Sequence, residues 1–538
     1  MSYLLENLKL KEIFKKKETK EVKKEEYHFS ISQAASQETV NFPETEDKTK
    51  IDFRYPLIVP YAYAHIAWDE VQNELVYKLE EPAIDPRELD ILKKLEQGVK
   101  EFINMSFISV KEKETLIEFL EKNVRILLTE MNIRLEKNSY LKIMYYIYRD
   151  FIGLNKMEPL MNDYFIEDIE CNGKNSPLYI VHRKYGNLKT SIIFKDMEEL
   201  TNFVEKLAQK CGRYISYSTP IVDGVLPDGS RINATFTEDV SSKGPTFTIR
   251  KFTKDPWSPT KLMDVGTASP ELLSYIWLLV ENGSNVLVVG GTGSGKTSLI
   301  NSIAFFIPPQ SRIVSIEDSR ELRLEHENWL PSVARAGVGA DKDKVGEVTM
   351  FDLLKESFRQ RPDYIIVGEV RGTEASVLFQ GMAAGHASMA TMHADDVRTV
   401  IRRLQTPPIN LSPSLVETLD AICLMTHAKI KNVDTRKVSA IQEILSVKDS
   451  GEVEVNVPFK WDPKTNNFLF KKQSNVFDKI ILKKGMDRQK LDYEFTVRAK
   501  LLLELYKKKI FEFVKVQKIV HSYYKTPEKV LREFGIIK

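Results

Sequence analysis

The chain has 538 residues, enough for roughly two or three domains with sizeable cores. Charged residues make up 29% and apolar residues 42%, the balance of a soluble globular protein, and a net charge of +2 gives no bulk basicity that would point to nucleic acid. Three cysteines, Cys171, Cys211 and Cys423, stand far apart without a C-x-x-C pair, so neither a zinc site nor a disulfide framework is expected and the pattern suits a reducing cytoplasm. No apolar run approaches a membrane span: Leu272 to Val280 is stopped by Glu281. The N-terminal stretch shows no signal-peptide h-region, so any membrane role is expected to come from surface docking.

Residues 1–28 carry Lys9, Lys11, Lys15, Lys16, Lys17, Lys20, Lys23 and Lys24, interleaved with Leu4, Leu5, Leu8, Leu10, Ile13 and Phe14. Two readings stand side by side: a solvated, fraying helix, or a docking arm for anionic lipid or a partner. Residues 30–50 are rich in Ser, Gln, Thr and Glu and read as linker. From Ile51 to residue 254 the pattern is that of a mixed α+β domain. Short strands are expected at Tyr55–Pro60, His65–Trp68 and Leu75–Leu79, and helices at Pro86–Met105, Lys111–Leu135 and Asn138–Phe151. Strands follow at Ile166–Glu170, Leu178–His182 and Ser191–Phe194, then a helix over Met197–Cys211. The stretch Pro220–Ala234 contains Arg231 after the turn signal Pro227-Asp228-Gly229, and Arg250 closes the strand Thr246–Ile249. Lys254-Asp255-Pro256-Trp257-Ser258-Pro259 reads as the start of an interdomain linker, 255–262.

Residues 263–538 alternate strand and helix, which predicts a mainly parallel sheet; 474–538 is expected to be mostly helical. Asn285–Val289 is a β-branched apolar run broken by Gly290-Gly291-Thr292-Gly293-Ser294-Gly295, after which Lys296-Thr297-Ser298 opens a helical segment. Gly290-x-x-x-x-Gly295-Lys296-Thr297 matches the P-loop pattern in the strand–loop–helix context that the pattern requires. Glycines let backbone N–H groups from Gly291 to Ser298 approach a phosphate without a Cβ in the way. Lys296 is expected to reach the β- and γ-phosphates of ATP, and the Thr297 hydroxyl to be a Mg²⁺ ligand.

Three further stretches narrow the reading. Ile313-Val314-Ser315-Ile316-Glu317-Asp318-Ser319-Arg320-Glu321 sets three carboxylates just after a strand, where α/β sheets place ligands. Tyr364-Ile365-Ile366-Val367-Gly368-Glu369 is an apolar strand ending in a carboxylate, a Walker B arrangement without the usual Asp before the Glu. Gly385-His386 to His393 places two histidines around a strand of small residues; zinc is not expected, because no third ligand is spaced nearby.

Taken together, Gly290–Thr297, Ser315–Glu321, Val367-Gly368-Glu369 and His386–His393 resemble the Walker A box, Asp box, atypical Walker B and His box of the secretion ATPase superfamily of type II and type IV systems. Leu324–Pro331, Arg359–Tyr364, Leu378–Ala383 and above all Arg403–Pro413 resemble its archaeal branch, most of all the ATPase of the archaellum. The resemblance covers about residues 51–530 and implies a fold: a RecA-like P-loop ATPase core with a mainly parallel sheet (α/β), preceded by a mixed α+β N-terminal domain. It also implies a homo-hexameric motor at the inner face of the cell membrane, working with an integral-membrane platform protein and other cytoplasmic motor components. An adhesion-pilus or protein-secretion ATPase is the alternative within the superfamily. A nucleic-acid translocase with a related core is disfavoured, since no basic stripe with interleaved aromatics lies near the core.

Roles carry over residue by residue. Glu321 matches the last Glu of the Asp box and is expected to be the base for the attacking water; the alternative is a surface Glu paired with Arg320 or Arg323. Glu369 is expected to hold the water or the Mg²⁺ shell, or to pair with Arg371. His386 and His393 are expected to sense the γ-phosphate or order the subunit interface. Arg231 and Arg250 stand in matching motifs of the first domain. Each either pairs with a carboxylate of its own domain, Asp228 or Glu238, or completes a neighbour's ATP site.

Overall fold

The computed structural model describes residues 28–33, 40–43, 45, 47–105, 113–252, 256–335, 337, 346–430 and 433–537. The basic arm read over residues 1–28 lies outside the described residues, except for His28. The chain divides into two compact units, Met1–Lys251 and Phe252–Lys538.

The first unit is built on a sheet of ten strands among the described residues: β1 (Ser32–Gln33), β2 (Asp52–Val59), β3 (Ala62–Asp69), β4 (Glu74–Glu80), β5 (Ile166–Cys171), β6 (Pro177–His182), β7 (Gly186–Ile193), β8 (Ile221–Val225), β9 (Arg231–Thr235) and β10 (Thr246–Arg250). Their spatial order is β1-β2-β3-β4-β7-β6-β5-β10-β9-β8. All pairings are antiparallel except β4 with β7. Alternation sets the faces: in β9 Ile232 and Ala234 are buried while Arg231, Asn233 and Thr235 face outward, and β10 repeats the pattern with Phe247 and Ile249 inside. The segment read as linker, 30–50, is partly built into this unit. Ser32 and Gln33 pair with Val59 and Ile58, and Phe42 packs its ring against Phe53, Phe165 and Tyr185. A few apolar residues spaced among polar ones are enough to seat such a stretch, and its composition conceals them.

The second unit holds nine strands among the described residues: β11 (Val286–Val289), β12 (Ile313–Glu317), β13 (Trp329–Val333), β14 (Tyr364–Val367), β15 (Ala387–Met392), β16 (Ala421–Ile430), β17 (Val433–Val447), β18 (Val453–Asp462) and β19 (Asn467–Phe470). In the order β13-β12-β14-β15-β11-β16-β17-β18-β19, the strands are parallel as far as β16 and antiparallel beyond it. β11, β12, β14 and β15 are buried along their whole length, as parallel strands covered on both faces must be. Val286 and Val288 of β11 join one apolar cluster with the helices Pro270–Glu281 and Lys296–Ala304; Leu287 and Val289 join the other, under the helices Glu374–Ala383 and Val397–Gln405. Leu272 to Val280 is thus one buried helix, capped by Ser269, whose side chain accepts the Leu272 N–H. Among the described residues, no helix is long and apolar enough to cross a membrane.

Two stretches differ from the sequence reading. Ser258 caps a helix over Pro259–Asp264, and the hydroxyls of Ser258 and Thr260 donate to Phe511 O and Ile510 O (both 2.7 Å). From Trp257 onward the segment read as a linker therefore belongs to the second unit; Ser-Pro, which signals a turn, is here an N-cap followed by Pro at the first helical position. The antiparallel strands β17, β18 and β19 also extend a sheet that the alternation of strand and helix predicts as mainly parallel. The helical end is as expected, with helices at Asn475–Lys484, Arg488–Lys507, Phe513–Lys525 and Pro527–Glu533.

Candidate nucleotide site

Four strands of the second unit end on one side of the sheet, and each delivers a functional stretch there: β11 the P-loop, β12 the Asp-box turn, β14 Gly368-Glu369 and β15 His393. This is the carboxyl edge, where open parallel sheets bind ligands. The loop geometry depends on its glycines. A Cβ on Gly290 would stand 2.5 Å from Ser294 Oγ and 2.6 Å from Met425 O, and Gly295 at φ +91° opens the helix Lys296–Ala304 in the left-handed region. That helix has no side-chain cap, so its first N–H groups stay available to an anion.

Lys296 is folded into this loop. Its Nζ donates to Gly290 O (3.0 Å) and Gly291 O (2.9 Å) and lies 3.3 and 3.4 Å from the ring nitrogens of His393. Burial lowers its pKa, opposed by the charges of Glu369 and Glu321, so both candidate carboxylates lie within electrostatic reach of the ammonium. Glu369 is held from two sides: Arg371 Nη2 donates to Oε2 (2.6 Å), and His393 Nε2 approaches Oε1 to 3.3 Å. The latter contact is within ion-pair distance, and Oε1 has no hydrogen-bond partner among the described residues. Burial works against ionisation of Glu369, yet Arg371, His393 and Lys296 outweigh it and hold the carboxyl below its usual value. Burial and the charge of Lys296 lower the pKa of His393, with Glu369 opposing.

The Asp-box turn is anchored by residues to which the sequence assigned no role. Glu317, 1% exposed, accepts the backbone N–H of Glu321 and of Leu322 (both 2.9 Å). Asn301, on the helix that follows the P-loop, donates to Glu321 O (3.1 Å) and accepts from Arg323 N (3.0 Å). Arg320 lies over the Trp329 ring and Arg323 pairs with Glu325 at 3.6 Å. Two further arginines touch the site: Arg436 Nε on β17 donates to Gly293 O (2.8 Å), and Arg403 donates to His393 O. Nothing local in the sequence marks these contacts, because Arg436 reaches the loop, and Arg403 reaches His393, from a separate element.

His386 does not join this cluster. It precedes β15 whereas His393 follows it, and six strand residues at about 3.3 Å each separate the two by roughly 20 Å. The His386 ring packs on Phe358 at 5.1 Å and its Nδ1 lies 3.3 Å from Gly381 O, so a role at the γ-phosphate of this site is ruled out by the length of the strand. Thr297 and Ser298 stand in the first turn of the P-loop helix, half-buried. Glycine-lined space, Thr297 and the in-reach carboxylate of Glu369 suit a nucleotide phosphate chain with a hard divalent cation.

Arg231 and Arg250 lie in the first unit, directly opposite each other on β9 and β10 and on the outward face. Each has an acidic partner of its own unit, though not the ones expected. Arg231 makes a fork to Asp223 (3.1 and 2.7 Å) and Arg250 Nε donates to Asp168 (3.2 Å), while Asp228 is engaged by Ser230. Two like charges side by side repel, and these carboxylates offset that.

Residues 153–449, more than half of the chain, match the family model described as Type II/IV secretion system protein. An uncharacterized protein of Methanocaldococcus jannaschii is 39% identical over 388 residues, which cover 71% of this chain and 70% of that protein. The type IV secretion system protein PtlH of Bordetella pertussis is 28% identical, over 53% of this chain and 92% of its own. The X-ray structure of the Legionella pneumophila ATPase DotB aligns with 70% of this chain and 96% of its own, at 17% identity and a TM-score of 0.39.

Proposed function

Because the chain belongs to the family of type II/IV secretion system proteins, we propose that it is a Mg²⁺-dependent ATPase, the hexameric motor of an archaeal type IV pilus-like filament, and of the archaellum in particular. The observation that carries the activity is the convergence of Lys296, Glu369 and His393 on one strand-end cluster around a glycine loop, with the turn that carries Glu321 anchored to the P-loop helix beside it. The archaellum assignment is supported by the Arg403–Pro413 stretch, and the wider archaeal affinity by the Methanocaldococcus jannaschii relative. Partners on this reading are further copies of the chain, an integral-membrane platform protein and other cytoplasmic motor components, at the inner face of the membrane.

The backbone N–H groups of Gly291–Ser298 bind the phosphates, and Lys296 swings from the loop carbonyls onto the β- and γ-phosphates. Mg²⁺, when bound, neutralises phosphate charge; Thr297 would hold it, with Glu369 in its shell. Glu321 accepts the proton of the attacking water. His393, between Lys296 and Glu369, orients both. Phosphoryl transfer asks the protein mainly for positioning and for positive charge, which this cluster supplies.

The test is steady-state hydrolysis and ATP binding by the purified full chain. Lys296→Ala should abolish turnover. Glu321→Gln should bind ATP and turn over ~10²–10⁴-fold more slowly. Near-normal hydrolysis by Lys296→Ala would refute the P-loop assignment; full turnover by Glu321→Gln would move the base to Glu369. In cells, Lys296→Ala that stops swimming and spares adhesion pili selects the archaellum; the reverse phenotype selects the pilus.

A further inference from the structure

Four hydrogen bonds from two buried side chains hold three consecutive residues of the Asp-box turn. Glu317 takes the N–H groups of Glu321 and Leu322, and Asn301 takes Glu321 O with its amide NH₂ and the Arg323 N–H with its amide oxygen. Using both ends of the amide at once fixes which way Asn301 is turned. The two side chains are 1% and 3% exposed. Such burial is costly for a carboxylate, the more so because Glu317 Oε2 has no hydrogen-bond partner among the described residues.

The anchors come from different parts of the site. Asn301 stands on the helix that begins with Lys296. Glu317 ends β12, and its Cγ lies 3.1 Å from where a Cβ on Gly368 would be, just before Glu369. Gly368 N–H in turn donates to Ile316 O (2.8 Å). The P-loop helix, the Asp-box turn and the Walker B end are therefore tied through this clamp.

We propose that Glu317 and Asn301 are the positioning residues of Glu321: by fixing the peptide groups of 321–323 they set where the Glu321 carboxylate stands relative to the P-loop. The inference rests on the reading of Glu321 as the base. Because the clamp is rooted on the Lys296 helix, base and phosphate cradle move as one body. A displacement of about 1 Å in such a group costs on the order of 10²-fold in rate.

Single-turnover ATP hydrolysis and binding of a fluorescent ATP analogue by the full chain test it, with each variant made both alone and on a Glu321→Gln background. Asn301→Ala and Glu317→Ala should each lower the rate by ~10–100-fold, with analogue affinity kept within about threefold. Glu317→Gln should restore most of the loss seen in Glu317→Ala, because its carbonyl oxygen can still accept both N–H groups. On the Glu321→Gln background none of these changes should slow the reaction further, since their effect passes through the missing carboxylate. Unchanged rates in both alanine variants would overturn the proposal. So would the same fractional loss on both backgrounds, or a loss matched by lost affinity. Should an alanine variant fail to fold, Asn301→Asp, which keeps the acceptor and loses the donor to Glu321 O, is judged by the same criteria. Failure of the base reading is separate: Glu321→Gln alone would then keep full turnover.

Discussion

At the scale of single residues, the site places charge where solvent is scarce, and Glu317 is the sharpest instance. Burial pushes its carboxyl up from 4.5 to about 7; the N–H groups of Glu321 and Leu322 pull the other way, Glu321 adds repulsion and Arg320 partly relieves it. The folded pKa lies above the unfolded one, so the folded state holds this proton more tightly. Stability from this group is full below about 4.5, falls as pH rises towards 7, and stays reduced above it. Glu317→Gln, which keeps an acceptor without the charge, should therefore raise Tm at pH 8, where the shift corresponds to about 3 kcal/mol at most. The gain should vanish near pH 4.5. Thermal unfolding of both proteins at the two pH values checks this, and equal Tm values at pH 8 would show that the charge is not costly. Lys296 and His393 illustrate the same principle with opposite sign, since burial lowers both.

At the scale of elements, the P-loop is shaped as much by the neighbouring hairpin as by its own glycines. β16 runs parallel beside β11 with Val289 opposite Leu424, and the next step along both chains sets Met425 O against Gly290. A methyl group at Gly290 meets that carbonyl at 2.6 Å and Ser294 Oγ at 2.5 Å. The hydroxyl can rotate away; the strand carbonyl cannot. Gly290→Ala should thus displace the loop and weaken fluorescent-ATP binding by ~10-fold or more, while the fully buried strands keep the unit folded. Binding equal to wild type would mean that the loop can shift without losing its cradle. The strand β15 shows the same logic by length: six residues carry the chain from His386 at one edge of the sheet to His393 at the other.

At the scale of the whole molecule, the proposed motor needs chemistry in one part to move another. Lys296 and Mg²⁺ leave much of the transition-state charge uncompensated, and an arginine from outside the P-loop unit can add ~10³–10⁵ in turnover. Arg231 and Arg250 are suited to this: adjacent and outward-facing, Arg231 held by an exposed carboxylate, Asp223, and Arg250 itself exposed beside the half-buried Asp168. On the hexamer reading they complete a neighbour's site. Mixing Lys296→Ala subunits with Arg231→Ala/Arg250→Ala subunits, each inactive alone, should then recover part of the ATPase, because some interfaces combine an intact loop with intact arginines. Normal ATPase in the double arginine variant by itself would remove both residues from the mechanism.

The sequence by itself determined the parts that depend on local chemistry. Gly290–Thr297 between an apolar strand and a helix, and carboxylates just after β12 and β14, were legible because strand–turn–helix order and glycine spacing are properties of neighbouring residues. Helix positions such as Pro86–Met105 and Met197–Lys210 followed from periodicity for the same reason. Only the tertiary structure decided who meets whom across the sheet. Asn301 and Glu317 reach the Asp-box turn from a helix and a strand, Arg436 reaches the loop from β17, and Arg231 and Arg250 find Asp223 and Asp168 rather than Asp228 and Glu238. Strand register and order set the contacts of Asn301, Arg436 and Arg250, whose partners lie far along the chain; Glu317 with Glu321 and Asp223 with Arg231 are near in sequence, and there the turn and the hairpin select the partner. The same holds for the separation of the two histidines: their spacing is plain in the sequence, but its meaning depends on whether the strand between them crosses the sheet or lies along its edge.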